Sequence, residues 1–320
     1  ANISDRTRSD YQEVWDSCIA DTWARRELRR VQPADVIRWV SSLQERGLSS
    51  SRIRHAVTVL NQTMRWAVAD QRLPANPVQR AKELTNGNLL PKRPPKQPNR
   101  YLTMEEVYRL AAEAGPYEAM ILTMAFTGLR FGEVTALRGK DVDELRSRLL
   151  VRRAFTDIRG RLVEGPPKSG KSREVPLPKS VHAALTTALQ AAGPEGLLFT
   201  APQGGPVRYA NWKRNVFNPA ALRAGVLPLT PHCLRHTYAA LSVQAGANPK
   251  TLQRCMGHST IVLTLDTYGG LFDYDLDLFS DQFDQAVSLG ASVDIEQVSE
   301  SNVHQMCTVA TEPTPRLRQA

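Results

Sequence analysis

Cysteine is scarce in this chain. Its 320 residues include four, Cys18, Cys233, Cys255 and Cys307, scattered and with no C-x-x-C pair. That spacing excludes a disulfide framework and points to free thiols in a reducing compartment, hence to a cytoplasmic protein. Long apolar runs are missing too. No stretch of about 18 apolar residues occurs, so nothing reads as a membrane span. No secretory signal pattern stands at the start. The first residue is Ala1 and not Met, which implies a chain processed or cut from something longer. No internal repeat is present, which excludes a repeat array. Acidic residues almost vanish from 201–270, where Asp266 stands alone against seven Lys and Arg.

What is present is positive charge, unevenly spread. The net charge is +9. Basic and acidic residues number 18 and 10 in 1–100, 14 and 12 in 101–200, and 2 and 9 in 271–320. A basic body with an acidic end favours a polyanion, most simply nucleic acid; a merely soluble basic protein is the alternative. The length suits two domains, and the 42% hydrophobic content is enough for a real core.

Residues 1–90 read as all-helical. In YQEVWDSCIADTW the apolar positions Val14, Trp15, Cys18, Ile19 and Trp23 repeat with a period near 3.6. PADVIRWVSSLQERG opens on Pro33, closes at Gly47 and stripes Val36, Ile37, Val40 and Leu43. The next helix carries Ile53, Val57, Leu60, Met64, Trp66 and Val68 on one side, and Arg52, Arg54, His55 and Arg65 on the other. A basic face of that kind can follow phosphates or simply be solvated. Residues 91–100, PKRPPKQPNR, read as a basic, extended linker. Beyond it, Thr103 and Glu106 form a capping box, YEAMILTMAFTG is a buried helix ending at Gly128, and LRFGEVTAL continues as helix. Residues 148–177 alternate, with turns at 157–160 and 169–172, and predict a small antiparallel sheet of about three strands. Helices resume at SVHAALTTALQAA and run to about 285. The tail 286–320 is polar and weakly patterned. The expected division is therefore 1–90, a linker 91–100, 101–285, and a flexible tail 286–320.

The stretch HCLRHTYAA at 232–240 sets His232, Arg235 and His236 on one helical face, after Thr230 as a cap and Pro231 as a first-turn residue. Two imidazoles and a guanidinium could form a metal site, an acid–base pair, an anion clamp or a satisfied helix end. A zinc set would draw on His232, Cys233, His236, Cys255 and His258. His232 and Cys233 are adjacent and diverge on a helix, and the intervening arginine repels a cation, so no metal and no cofactor is expected. Other anion-handling candidates are Arg130 in TGLRFGEV, Lys168 or Lys171 in KSGKSREVPLP, His258 in MGHST, and Tyr268 in LDTYGG.

These four boxes, in this order, resemble those of the tyrosine recombinases of the phage-integrase type. The resemblance covers about 101–270; the helical 1–90 fits that family's core-binding domain only loosely. It implies a mainly α, two-domain protein: a helical, SAM-like core-binding domain and an α+β catalytic domain with a small antiparallel sheet, closing as a C-shaped clamp on double-stranded DNA. It implies a catalytic set of Tyr268, Arg130, Lys168, His232, Arg235 and His258, with Glu133 in support. Tyr268 would attack the phosphodiester to give a 3′-phosphotyrosyl enzyme and a free 5′-hydroxyl. Arg130 and Arg235 would hold the non-bridging oxygens, Arg235 from the first turn of its helix, where backbone N–H groups add to the clamp. His232 would handle the tyrosine proton, Lys168 would protonate the leaving oxygen, and His258 would bond the phosphate. Lys168 fits the family hairpin, eight residues before Pro176. His236 is left a packing role, and Gly270 stands where many relatives have histidine.

The same resemblance implies integration of phage or mobile-element DNA by a homotetramer acting at a specific crossover site, through a Holliday junction. Host DNA-bending or directionality factors would assist. Leu271, Phe272, Leu276, Phe279 and Phe283 lie on an acidic background and would dock on a neighbouring protomer or on their own domain. The alternatives are a chromosome-dimer resolvase, a type IB topoisomerase-like enzyme, and a catalytically silent DNA-binding relative. A small β arm-binding domain, frequent in such integrases, is not seen in 1–90.

Overall fold

The structure is a computed structural model that describes residues 3–93, 100–271, 280–281, 283–285 and 287–288. The tail expected at 286–320, apart from Val287 and Ser288, lies outside the described residues. So do residues 94–99 of the linker and Phe272, Leu276 and Phe279 of the acidic segment. The chain divides into two compact units, 1–267 and 268–320. Within the first unit two separate hydrophobic cores form, one from residues 14–90 and one from residues 102–255.

The first core is helical throughout. Ser4 caps Asp5–Val14 by accepting from the Thr7 N–H, and a π-helical turn, Trp15–Ile19, carries the chain into Ala20–Trp23. Pro33–Glu45 opens on its proline as expected, with the Asp35 carboxylate on the Gln32 N–H. Ser49 caps Ser50–Ala69. Asn76 caps Pro77–Leu84, a short helix whose start the Asn-Pro pair marks: one residue supplies the cap, the next a preset φ. Ile53, Leu60 and Met64 are buried together with Ile19 and Leu43 in this core.

Two expectations about Ser50–Ala69 are corrected here. Trp66 is 68% exposed, because position 66 falls off the 53–57–60–64 stripe that the helix buries. The basic side is largely turned inward. Arg52 pairs with Glu13, Arg54 donates to the Pro91 carbonyl, and His55 meets the Tyr11 ring edge-on. Arg65 alone of the four is exposed.

The second core is built around Glu118–Thr127, whose residues from Met120 onward are all buried. Thr103 and Glu106 complete the predicted capping box on Met104–Ala112. Gly128 ends the central helix in the left-handed conformation, φ 66°. A Cβ there would lie 2.3 Å from the Tyr238 ring, so glycine is required by both backbone and packing. Pro231–Gln244 crosses at that point, and its Thr237 hydroxyl accepts from the Leu102 N–H.

Residues 148–177 hold four strands rather than about three. They are β2 (Arg148–Val151), β3 (Ala154–Ile158), β4 (Arg161–Gly165) and β5 (Arg173–Pro176), preceded by a two-residue β1 (Val142–Asp143). The strands form two antiparallel sheets, β1-β2-β5 and β3-β4. The extra strand arises because the β2 partner is β5, while β3 and β4 pair as an inserted hairpin turning at Arg159 and Gly160. The fold class expected from sequence, mainly helical with small antiparallel sheets, is the one observed.

Candidate active site

Five segments of the first unit converge. The turn after Gly128 delivers Arg130 as the residue preceding Phe131–Val134. Its backbone N–H donates to Glu133 Oε2 at 2.9 Å, and its Nη1 donates to Glu133 Oε1 at 3.0 Å. Its Nη2 reaches the Gly257 carbonyl at only 3.4 Å, and the side chain remains 25% exposed. Glu133 is itself 1% exposed, so Arg130 is bonded to a buried carboxylate.

Strand β5 supplies a residue that sequence reasoning passed over. Arg173 closes both guanidinium nitrogens on Glu133, at 3.0 and 2.7 Å, and its Nε donates to the Cys255 carbonyl at 2.7 Å. The signal was there. Arg173, Val175 and Leu177 share one face by strand alternation, and the latter two are buried. Burial alone would raise the Glu133 pKa. The Arg173 hydrogen bonds and charge, with the Arg130 charge and N–H, outweigh it and hold the carboxyl below its ordinary value.

Pro231–Gln244 positions Arg235 and the two histidines. Thr230 occupies the cap position, but its hydroxyl contacts Cys233 Sγ at 3.2 Å and does not cap. Arg235 is the fifth residue of that helix, past the free N–H groups of the first turn, so the expected backbone contribution at 235 is absent. Its side chain is 2% exposed and donates to the Gly128 and Met256 carbonyls. His232 and His236 touch edge to face, ring centroids 4.7 Å apart. His232 keeps an exposed side. Partial burial of its ring, then the charges of Arg235 and Arg130, lower its pKa, so it is neutral at neutral pH.

Pro249–Met256 ends at Gly257 in the left-handed conformation, φ 62°. His258 follows. Its Nδ1 lies 2.8 Å from the Thr264 hydroxyl, which tethers it to the Ile261–Tyr268 helix. Burial first, then the charges of Arg235, Arg130, Arg173 and His232, push His258 down to about 4. Tyr268 is the last residue of the Ile261–Tyr268 helix and the first of the second unit. Another tyrosine of this unit, Tyr238, packs against Gly128. Its phenol is pushed upward by burial and by the Cys255 thiol, so it is harder to ionise than an ordinary tyrosine.

Lys168 stands exposed in the β4–β5 connection. Its rival Lys171 lines a cavity of about 990 Å³ together with Arg152, Arg173, Lys250, Arg254 and His258. Among the described residues, Arg152, Lys168, Lys171, Lys250 and Arg254 form no ion pair, and no group of three or more His, Cys, Asp or Glu could hold a metal. No helix of the described residues is long and apolar enough to cross a membrane.

The cluster therefore sets two guanidiniums, those of Arg130 and Arg173, on one buried carboxylate, with Arg235 held by the Gly128 and Met256 carbonyls, beside two neutral imidazoles. Its net charge is positive, an arrangement that accepts an anion. Comparison with known proteins gives the family. Residues 100–273 match the phage integrase family. Over 265 residues the chain is 31% identical to a putative prophage phiRv2 integrase of Mycobacterium tuberculosis, covering 81% of this chain and 68% of that one. Its fold is similar to that of the Tn1549 transposon integrase in complex with transposon right end DNA. There the TM-score is 0.72 at 21% identity, covering 90% and 95% of the two chains. It is also similar to a lambda integrase tetramer bound to a Holliday junction, with a TM-score of 0.62 at 17% identity, covering 81% and 73%.

The class these findings define is the tyrosine-type site-specific recombinases. Within it, the chain belongs to the phage integrase family.

Proposed function

We infer that this chain binds double-stranded DNA at a specific crossover site and recombines it through a 3′-phosphotyrosyl intermediate on Tyr268. The observation that carries the reading is the cluster of Arg130 and Arg173 on Glu133, with Arg235 tied to the same segment through the Met256 carbonyl. At an effective dielectric of about 20, a phosphate charge roughly 4 Å from one guanidinium gains about 4 kcal/mol. The gain rises as charge builds on the non-bridging oxygens in the transition state, which makes the cluster catalytic as well as binding. Arg130, exposed on one side, would meet the phosphate first. Arg235 would act from its buried place through the carbonyl-held guanidinium.

The Tyr268 oxygen would form a bond to phosphorus as the bond to the 5′-oxygen breaks. Neutral His232 can accept the phenol proton, which an ordinary tyrosine keeps to about pH 10. Lys168 would donate a proton to the departing 5′-oxygen. Neutral His258 would hydrogen-bond the phosphate. Reversal by the 5′-hydroxyl of a second duplex rejoins the strand, so the phosphodiester energy is kept and no nucleotide cofactor is consumed. The basic cavity beside His258 supports DNA as the polyanion, because cations along it can replace DNA counterions on the phosphates.

The direct test is a suicide duplex nicked next to the cleavage position, built on the element-end junction cloned from the gene's flanking DNA. A covalent protein–DNA adduct should form with wild type and not with Tyr268→Phe. The same reading assigns assembly to a tetramer, with the segment 269–287 docking on a neighbouring protomer. Deleting 271–320 should abolish tetramers on paired sites and spare single-site binding; unchanged assembly refutes that docking.

A further inference from the structure

Three consecutive carbonyls at the end of Pro249–Met256 each take one guanidinium. Cys255 O accepts from Arg173, Met256 O from Arg235 and Gly257 O from Arg130. The preceding two carbonyls are already satisfied: Gly257 N–H donates to Arg254 O, and His258 N–H to Gln253 O. The last carbonyls of a helix lack intrahelical donors and sit at its negative end, so they are natural receivers for cations. The three arginines come from three different elements, and His258 is the next residue along. The row thus fixes the phosphate-facing side chains against one another.

Within this row Arg173 differs from the other two. Its fork takes both oxygens of Glu133, whereas Arg130 reaches that carboxylate through Nη1 and its own backbone N–H. A carboxylate has about four acceptor sites, and here all four are used. Arg130 cannot close a second side-chain bond on Glu133, so its Nη2, held only at 3.4 Å by Gly257 O, remains available for substrate.

We propose that Arg173 is a positioning residue for strand cleavage: by saturating Glu133 it keeps Arg130 singly bonded and its outer amino group directed to the phosphate. This rests on the recombinase reading above. Without Arg173, the freed Glu133 oxygen captures Arg130 as a closed fork, because bidentate guanidinium–carboxylate pairing is the stronger arrangement. DNA still binds through the other basic groups, but the phosphate loses a donor that the transition state needs.

The test compares wild type, Arg173→Met, Arg173→Lys and the double variant Arg173→Met/Glu133→Gln. Single-turnover cleavage of the nicked duplex is followed at saturating DNA, with affinity measured separately across salt. Arg173→Met should slow cleavage about 100-fold, the loss typical of a misplaced reacting group, with affinity within about threefold of wild type. Arg173→Lys, which keeps the charge but lacks the fork, should slow it about tenfold. The double variant removes the carboxylate that captures Arg130, and it should cleave at least about tenfold faster than Arg173→Met.

A purely structural role predicts lower thermal stability with wild-type cleavage once DNA is saturating, and that result overturns the proposal. So does a double variant no faster than Arg173→Met. So does a loss that appears as weaker binding with a shallower salt dependence, which marks direct phosphate contact. Should Arg173→Met fail to fold, Arg173→Lys and the double variant decide by the same criteria. A wild-type protein that forms no adduct refutes the recombinase reading instead, so the two failures are distinguishable.

Discussion

Gly257→Ala isolates the contact on which the arginine row depends. Gly257 has φ 62°, and an added Cβ would lie 3.0 Å from Cζ, Nε and Nη1 of Arg173. Left-handed backbone costs an alanine about 1 kcal/mol. The guanidinium must then retreat by a few tenths of an ångström, stretching the 2.7 Å bond to Cys255 O and the fork on Glu133. Hydrogen bonds to charged groups contribute roughly 1.5–3 kcal/mol each, and partial loss of two of them adds about 1–2 kcal/mol. The expected total is about 2–3 kcal/mol. Gly246→Ala is the matched control: φ there is 80°, and nothing lies within 4 Å of the added carbon, so only the backbone cost of about 1 kcal/mol applies. Denaturant unfolding of both variants, read as midpoint shifts at constant slope, gives the difference. Equal destabilisation of the two would refute the claim that Gly257 is needed for the close approach of Arg173.

Three further outcomes follow from the same contacts. Glu133→Gln leaves the buried Arg173 and the partly buried Arg130 without their carboxylate and should cost about 3–5 kcal/mol in chemical denaturation. Because the Glu133 pKa is lowered on folding, its contribution is complete above the ordinary value of 4.5 and is lost as pH falls through the folded value. The wild-type advantage over Glu133→Gln should therefore shrink on acidification and not on alkalinisation. His258 titrates at about 4 in the free protein against an ordinary 6.5, and a phosphate beside it must raise that value. DNA binding should take up protons below about pH 6.5, seen as buffer-dependent heat in calorimetry and reduced in His258→Gln; equal uptake in the two proteins excludes His258 as the site. Lys250→Ala with Arg254→Ala should weaken binding across sequences and reduce the slope of log affinity against log salt by about 2, whereas an unchanged slope removes those residues from the DNA path.

Much of the site is legible in the sequence because its parts are local. TGLRFGEV contains both Arg130 and Glu133, one helical turn apart, so their pairing follows from spacing alone. Gly128 ends its helix as expected, and Gly257 ends another in the same left-handed conformation. What the sequence hides depends on long-range packing. Arg173 is 40 residues from Glu133 and 82 from Cys255, and only the pairing of β2 with β5 brings it inward. The helix begins at Pro231 as expected, yet Arg235 falls in its second turn and not its first, and its side chain is held by two carbonyls. The basic side of Ser50–Ala69 misled for a related reason. Periodicity shows which residues share a face, but not that Glu13 pairs with Arg52 and the Pro91 carbonyl accepts a hydrogen bond from Arg54.

The central claim is that Tyr268 is the nucleophile at an arginine-held phosphate. Mass spectrometry of the adduct trapped on the nicked duplex tests it most directly. One nucleotide-modified peptide is expected, with the 3′-phosphate joined to the Tyr268 oxygen, and no adduct in Tyr268→Phe. A modification on Tyr238 or any other residue, or an adduct that persists in Tyr268→Phe, overturns that assignment.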